Sequence, residues 1–153
     1  MTGRITLREV TDTDLPIFFG HQRDPEACRM ANFHARDRDA FMAHWAKILR
    51  DGSAVVRTVE LEGAVAGNVV SWVHDEERDV GYWIGREHWS QGVATAALAS
   101  FLTQLQERPL SAHVAEQNVG SIRVLEKCGF VNVDRVEIAG EPVFELLFRL
   151  QGS

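Results

Sequence analysis

The sequence is poor in cysteine, and its two cysteines, Cys28 and Cys128, form no recognisable ligand or redox pair. It contains no Cys-x-x-Cys motif and no Cys/His pattern at the spacing of a zinc site. Disulfide-dependent folds carry several pairs of cysteines, and structural zinc needs closely spaced ligands. We therefore expect two reduced thiols, with neither a disulfide framework nor a bound metal.

Two other absences restrict the partners. No apolar run approaches the roughly 20 residues that span a bilayer, and the N-terminus lacks the apolar core of a signal peptide. Positive charge is also scarce, because 22 acidic residues outnumber 16 basic ones and give a net charge of -6. Since nucleic acid phosphates bind clustered positive charge, we expect a cytoplasmic protein whose main partner is neither nucleic acid nor membrane.

The remaining composition is that of a globular domain. The chain has 153 residues, of which 45% are hydrophobic and 25% charged. This length and balance suit one domain with a sizeable core, expected over residues 1–153. No repeat, low-complexity tract or linker interrupts the sequence.

Hydrophobic periodicity and turn residues predict a chain that mixes strands and helices. Strands are expected at 5–10, 53–61, 64–73, 79–84, 110–114, 131–138 and 143–150, with hairpin turns at 62–63 and 139–142. One helix is expected to begin at 11–15 and a second at 24–26. A third is expected to end near 51–52, and a fourth to run from 118 to about 128. A further helix is expected to bury the face formed by Leu98, Phe101, Leu102 and Leu105.

The most informative segment is the loop at residues 89–95, WSQGVAT, which follows an apolar strand and opens a helix. Gly92 and Ala94 have little or no side chain, so an anion can approach the unpaired, partly positive N–H groups of the first helical turn. The segment lacks the glycines of a dinucleotide fingerprint and the Gly-Lys-Ser/Thr of a P-loop. It predicts a pyrophosphate cradle; close packing at an ordinary strand-to-helix turn is the alternative.

A second segment, at residues 118–130, reads NVGSIRVLEKCGF. Asn118 is a natural helix N-cap, and Gly129 can adopt the left-handed conformation that ends many helices. Together the two segments resemble the GCN5-related N-acetyltransferase (GNAT) superfamily, in which the loop cradles the coenzyme A pyrophosphate. They are most similar to the branch that contains the RimJ and RimL ribosomal-protein N-acetyltransferases.

The resemblance implies an α+β fold, with a central mixed, mostly antiparallel sheet of six to seven strands that is flanked by helices and splayed between strands 4 and 5. It implies direct, metal-free transfer of the acetyl group of acetyl-CoA to a primary amine, either a protein N-terminus or a small-molecule amine. A backbone N–H near Ile84 is implied to stabilise the oxyanion. The implied coenzyme contacts are Gln91, Gly92, Val93, Ala94, Thr95 and Asn118.

Two side chains are candidates for catalysis. The resemblance places the Ser121 hydroxyl near the coenzyme sulfur, where it would hydrogen-bond the sulfur or relay a proton; local bonding in the first helical turn is the alternative. His113 stands where some relatives carry a catalytic glutamate, and imidazole accepts protons near neutral pH. A structural histidine on a buried strand is the alternative for His113.

One departure from the family pattern leaves a second hypothesis open. Leu125 stands where many members carry a tyrosine that acts as general acid, so no proton donor is assigned there. The alternative to an enzyme is a non-catalytic acyl-CoA-binding or regulatory module. An acetyl-cysteine route is disfavoured, since neither cysteine has a recognisable base beside it and Cys128 is expected to lie away from the loop.

The remaining polar and aromatic candidates have structural explanations. Arg123 and Lys127 are expected to form a solvated basic face, although they stand where they would reach coenzyme phosphates. Most aromatic residues, including Tyr82, are expected in the core. The apolar final hairpin is compatible with a monomer or a homodimer.

Overall fold

The computed structural model describes residues 3–141 and 143–152. Its strands are β1 (Ile5–Arg8), β2 (Val55–Leu61), β3 (Ala64–His74), β4 (Glu77–Ile84), β5 (Leu110–Ala115), β6 (Val131–Glu137) and β7 (Phe144–Leu150). Its helices are α1 (Leu15–Gln22), α2 (Pro25–Ala31), α3 (Arg38–Arg50), α4 (Val93–Gln104) and α5 (Val119–Lys127). No helix within the described ranges has the length and apolar character needed to cross a membrane.

All seven strands form one sheet, in the order β1-β2-β3-β4-β5-β7-β6. Neighbouring strands are antiparallel except β4 and β5, which run parallel. The ladder between those two strands consists of Arg78 with Leu110 and Asp79 with Ser111, near the start of both strands. Beyond these pairs the sheet is open, so the predicted mixed sheet with a splay between strands 4 and 5 is confirmed.

Local signals account for most element boundaries. Glu62 and Gly63 both have positive φ, 51° and 83°, as a two-residue hairpin turn requires. Asp24 caps α2 by accepting the Ala27 N–H at 2.9 Å, which confirms the helix start predicted there. The other predicted hairpin turn, at 139–142, includes Pro142, which lies outside the described residues.

Two apolar clusters cover the two faces of the sheet. The larger joins the sheet to α4 and α5 and includes Leu98, Phe101 and Leu125. Leu98, Phe101 and Leu105 are buried and Leu102 is partly buried against the same cluster, which confirms the predicted apolar face of α4. The smaller cluster joins the sheet to α1 and α3 through Phe18, Phe41 and Trp45.

A buried carboxylate ties β1 and β2 to the turn before α1. Asp14 is 1% exposed, and both of its oxygens accept hydrogen bonds from the Arg8 guanidinium at 2.8 Å. The Thr58 hydroxyl donates to it at 2.7 Å and the Thr11 N–H at 2.9 Å. Burial by itself raises the pKa of Asp14, but these bonds outweigh burial and hold that pKa well below its usual range.

Candidate active site

A cavity of about 570 Å³ opens where β4 and β5 separate. Four parts of the chain line it: α2, the end of β4, the loop into α4 with that helix's first turn, and α5. Because residues of the 89–95 loop and of the first turns of α5 both line this cavity, a ligand there would touch both segments that the sequence patterns identify. The splay therefore provides the space in which the loop before α4 and the start of α5 meet.

The loop before α4 has the backbone shape of an anion cradle. Gly92 is the N-cap of α4 with φ of 76°, in the left-handed region that glycine adopts without strain, and Ser90 has φ of 63°. Gly92, Val93, Ala94 and Thr95 all line the cavity. Since the first N–H groups of a helix carry partial positive charge and lack helical partners, these residues fit a pyrophosphate.

Two other loop residues make contacts that the sequence patterns do not indicate. Gln91 is not among the described residues that line the cavity, and its Nε2 donates to the Glu87 carbonyl oxygen at 3.1 Å. Trp89 does line the cavity, and its indole N–H donates to the Ile84 carbonyl oxygen at 2.9 Å. This bond holds the loop against the end of β4. The sequence signal that could have predicted it is a tryptophan, whose single polar N–H needs an acceptor, a few residues after the end of a strand.

The backbone of Ile84 faces the gap between the strands. Gly85 donates its N–H to Ala66 on β3 at 2.9 Å, and successive N–H groups of a strand point to opposite sides. The N–H of Ile84 therefore points away from β3 and toward the gap. Ile84 also lines the cavity, so this geometry suits the predicted backbone donor for an oxyanion.

Helix α5 adds a cap, a hydroxyl and two cations to the cavity wall. Asn118 Oδ1 accepts the backbone N–H of Ser121 at 3.2 Å, which confirms the predicted N-cap. Asn118 and Ser121 both line the cavity. Arg123 and Lys127 are exposed, as a solvated basic face should be, and they also border the cavity. Their charges add to the positive potential at its rim.

Tyr82 belongs to the cavity wall as well as to the core that packs against it. Its hydroxyl lies 2.6 Å from Ser121 Oγ and 3.3 Å from the Ser121 carbonyl oxygen. Burial raises the pKa of Tyr82 to about 12, although the hydrogen bond with Ser121 opposes this shift. The phenol is therefore protonated at neutral pH and available as a donor.

His113 lies on the face of the sheet opposite to α4 and α5. Its neighbours on β5, Ala112 and Val114, point into the core beneath those helices, so the imidazole points the other way. Its Nδ1 is 3.0 Å from Glu145 on β7, and its Nε2 is 3.9 Å from Asp79 on β4. The side chain is 48% exposed, which disagrees with the alternative of a structural histidine on a buried strand. It is not among the described residues that line the cavity.

Asp79 is a buried carboxylate on the same side of the splay as His113. It is 8% exposed, and burial raises its pKa, while the His113 imidazole acts in the opposite direction. Two carboxylates, Asp79 and Glu145, thus flank one imidazole beside the opening.

Cys128 lies closer to the loop than the sequence suggests. Its Sγ is 3.8 Å from the carbonyl oxygen of Thr95, in the first turn of α4, so the expectation of a distant position is wrong. The packing of α5 on α4 brings the two together. Burial raises the pKa of the Cys128 thiol, which disfavours the thiolate that an acetyl-cysteine route needs. Within residues 3–141 and 143–152, no three Cys, His, Asp or Glu side chains cluster as a metal site.

Comparison with protein families identifies the class. Residues 4–131 match the family described as the acetyltransferase (GNAT) domain. The match covers the loop into α4, the splayed strands and all of α5. The chain therefore belongs to the GNAT family and is an acetyl-CoA-dependent acetyltransferase.

Individual relatives agree with this assignment. The chain is 28% identical to an uncharacterized N-acetyltransferase, p20, of Bacillus licheniformis, over 84% of this chain and 80% of that protein. Spermidine N-acetyltransferase from Vibrio cholerae, solved in complex with CoA and spermine, has a TM-score of 0.82 at 20% identity, over 96% of this chain and 95% of that chain. RimJ from Mycobacterium smegmatis, in complex with CoA-disulfide, has a TM-score of 0.76 at 24% identity, over 97% of this chain and 82% of that chain. The likeness to these two structures establishes a shared fold.

Proposed function

We propose that the protein is an N-acetyltransferase that moves the acetyl group of acetyl-CoA directly to a primary amine. The cavity is the observation that carries this proposal, because it joins the anion-binding loop and α5 to the end of β4 and to α2. The loop and the cations of α5 suit the coenzyme phosphates. Between the two ends, Ile84 offers a backbone donor for the oxyanion and Ser121 offers a hydroxyl for the leaving sulfur.

The acceptor side supports an amine substrate. Glu145 lies 3.0 Å from Nδ1 of His113 and so favours the tautomer with a proton on Nδ1 and a lone pair on Nε2. An amine is mostly protonated near neutral pH and must lose that proton before it attacks. In this proposal the carboxylates of Asp79 and Glu145 attract the ammonium form, and His113 accepts its proton directly or through a water.

Ser121 is the proposed donor to the departing thiolate. Its hydroxyl lines the cavity in the first turn of α5, and the cap from Asn118 fixes its backbone. Leu125, where relatives carry a tyrosine, is 1% exposed and belongs to the core. The chain therefore needs another hydroxyl at the site, and Ser121 is placed to supply it.

A panel of acceptors tests the proposal. The purified protein is incubated with acetyl-CoA and, separately, with spermidine, lysine or peptides that have a free N-terminus, while thiol release and acetylated product are measured. Spermidine is included because one structural neighbour is a spermidine N-acetyltransferase. We expect acetylation of at least one amine, with only background rates from a Gly92→Val protein prepared in the same way. Tight CoA binding without acetylation of any amine would overturn the proposal.

The proposed base is tested separately with His113→Ala. We expect kcat/KM to fall by about tenfold to a hundredfold, mainly at pH values below the pKa of the acceptor amine, where deprotonation limits attack. His44→Ala is the control, because His44 lies on α3 and outside the described lining of the cavity. An unchanged pH profile in His113→Ala removes His113 from the mechanism.

The cytoplasmic location, the monomeric or homodimeric state and the single domain over residues 1–153 stay predictions. So does the preference between a protein N-terminus and a small-molecule amine. The acceptor panel distinguishes those two classes of amine directly, because both are present in it.

A further inference from the structure

Tyr82 and Ser121 line the cavity from two different elements and meet at their hydroxyl groups. Tyr82 lies on β4 and Ser121 in the first turn of α5, and the two oxygens are 2.6 Å apart. This distance is at the short end of the range for O–H···O hydrogen bonds. The residues are separated by 39 positions in the chain, so only the packing of α5 beside the end of β4 creates the pair.

Ser121 is held at two points. Its backbone N–H is bonded to Asn118 Oδ1, and its side-chain oxygen is bonded to Tyr82. It is also the only residue with a hydroxyl in the α5 sequence VGSIRVLEK. Leu125, one turn further on, packs into the core. The hydroxyl that pairs with Ser121 therefore comes from β4 and not from α5.

The positions of the two protons decide what the pair can do. If Ser121 donates to Tyr82, the phenol proton goes to the Ser121 carbonyl oxygen, 3.3 Å away, and neither proton faces the cavity. If Tyr82 donates to Ser121 Oγ, the serine proton is free to point into the cavity that both residues line. A phenol is more acidic than an aliphatic alcohol, which favours Tyr82 as the donor in this pair.

We propose, on the basis of the function proposed above, that Tyr82 is a positioning residue that donates to Ser121 Oγ and thereby aims the Ser121 hydroxyl at the leaving sulfur. As the thioester C–S bond breaks, its electron pair stays on sulfur, and Ser121 donates its proton to form the S–H bond. Ser121 Oγ takes the Tyr82 proton in exchange, and the phenolate recovers a proton from solvent. The substrate ammonium loses two protons, one to His113 before attack and one from the nitrogen after the C–N bond forms, and both pass to solvent. Since solvent returns one proton to the phenolate, the overall reaction releases one proton and its charges balance.

Binding of free CoA tests the donor arrangement without turnover. A thiol of ordinary acidity ionises near pH 8.5, and a thiolate accepts a stronger, charge-assisted hydrogen bond than a thiol does. Affinities for CoA and desulfo-CoA are measured by calorimetry at about pH 7 and about pH 9.5. In the wild-type protein, we expect the affinity for CoA divided by the affinity for desulfo-CoA to be about tenfold higher at pH 9.5 than at pH 7. In Tyr82→Phe, which keeps the ring and removes one oxygen, this rise should fall below about twofold.

Kinetics separate positioning from packing. Tyr82→Phe should lower kcat about tenfold to a hundredfold with little change in KM for acetyl-CoA. The double variant with Ser121→Ala should be no slower than Ser121→Ala alone, because Tyr82 acts through Ser121. With acetyl-seleno-CoA, whose selenolate leaves more easily than a thiolate, the loss in Tyr82→Phe should shrink. Ser53→Ala, in the loop before β2, is the matched serine control and should keep full activity.

The outcomes distinguish this proposal from the proposed function. If the wild-type protein acetylates no amine, the function fails, but the affinity ratio still tests Tyr82. An equal rise of that ratio in wild type and Tyr82→Phe overturns the positioning role. The same conclusion follows if Tyr82→Phe retains full kcat, or if its loss multiplies with that of Ser121→Ala.

Because Tyr82 is the only tyrosine in the chain, ultraviolet difference titration reports its ionisation alone. We expect almost no phenolate at pH 10 in the folded protein, because burial raises the pKa of Tyr82 to about 12. Circular dichroism at the same pH verifies that the protein is folded. Half-ionised tyrosine at pH 10 in folded protein contradicts the buried hydrogen-bonded pair.

Discussion

The molecule buries an aspartate in each of two regions, and the surroundings act on their acidity in opposite directions. Asp14, next to α1, is 1% exposed and receives hydrogen bonds from Arg8, Thr11 and Thr58, so its pKa lies well below the usual range. Asp79, beside the splay, is 8% exposed and faces the His113 imidazole at 3.9 Å. Burial raises the pKa of Asp79.

The difference shows how one fold separates structural polar groups from reactive ones. Where donors satisfy a buried carboxylate, its charged form is stabilised and the contacts hold elements together. Asp79 lies at the last paired position before β4 and β5 separate, and burial is the largest influence on its pKa. Tyr82, whose pKa burial raises to about 12, follows the same pattern as Asp79. Perturbed pKa values at a cleft are typical of catalytic sites.

The largest effect on stability is expected from Asp14→Ala. The change leaves the Arg8 guanidinium and the Thr58 hydroxyl without their shared acceptor, and breaking a buried pair of this kind costs about 3 kcal/mol. Urea unfolding at neutral pH measures the loss. Glu116→Ala is the matched control, because Glu116 pairs with Arg135 at the surface, and we expect no measurable change there. Equal losses in the two variants would contradict the comparison.

The pH dependence of Asp14 has a definite sign. Its folded pKa is depressed, so its stabilisation is complete above the pKa of an ordinary carboxyl group and is lost as pH falls toward the folded value. Asp14→Asn should therefore remove part of the fall in stability between about pH 5 and lower pH. If the free energy of unfolding of Asp14→Asn falls at acidic pH as much as that of wild type, the Arg8 contact contributes nothing to stability.

An intermediate effect is expected from Gly92→Ala, which tests the cleft side. A residue other than glycine at φ of 76° costs about 1 kcal/mol, and relaxation of the N-cap moves the N–H groups that face the cavity. We expect CoA affinity to fall about tenfold, a loss of about 1.4 kcal/mol. Gly63→Ala is the control, since Gly63 has φ of 83° and open space around its added methyl group. It should lose similar stability and keep full CoA affinity; equal affinity loss in both variants would contradict a cradle at Gly92.

The sequence alone predicts those features of the cavity wall that depend on local signals. The small residues at Gly92 and Ala94, and the cap at Asn118, each act within one helical turn, so their spacing shows what they do. The Tyr82–Ser121 pair and the Cys128–Thr95 contact depend on how β4, α4 and α5 pack, and periodicity contains no such information. For the same reason, the sequence reveals that residue 82 lies on a strand but not which helix its hydroxyl meets.

The sequence patterns also do not predict that the His113 side chain is exposed. A short apolar strand suggests burial on both faces, yet the His113 side chain on β5 is 48% exposed. The Asp14 cluster is a further case, because its acceptor and donors come from β1, β2 and the turn before α1. Each of these arrangements requires the order of strands in the sheet, which no local spacing encodes.

The smallest effect on stability is expected from Asp79→Asn, and its sign is opposite to that of Asp14→Asn. The folded pKa of Asp79 is raised, so ionised Asp79 destabilises the folded state, a cost that grows as pH rises from the unfolded pKa to the folded one. A neutral amide of the same shape removes that cost, so the free energy of unfolding at neutral pH should stay level or rise by less than about 1 kcal/mol. Activity should nevertheless fall if the charge attracts the acceptor ammonium. Urea unfolding of both Asp79→Asn and Asp14→Asn at pH 4 and pH 7 measures the sign of each change in the free energy of unfolding. If Asp79→Asn loses as much stability as Asp14→Asn, Asp79 is a structural carboxylate of the same kind.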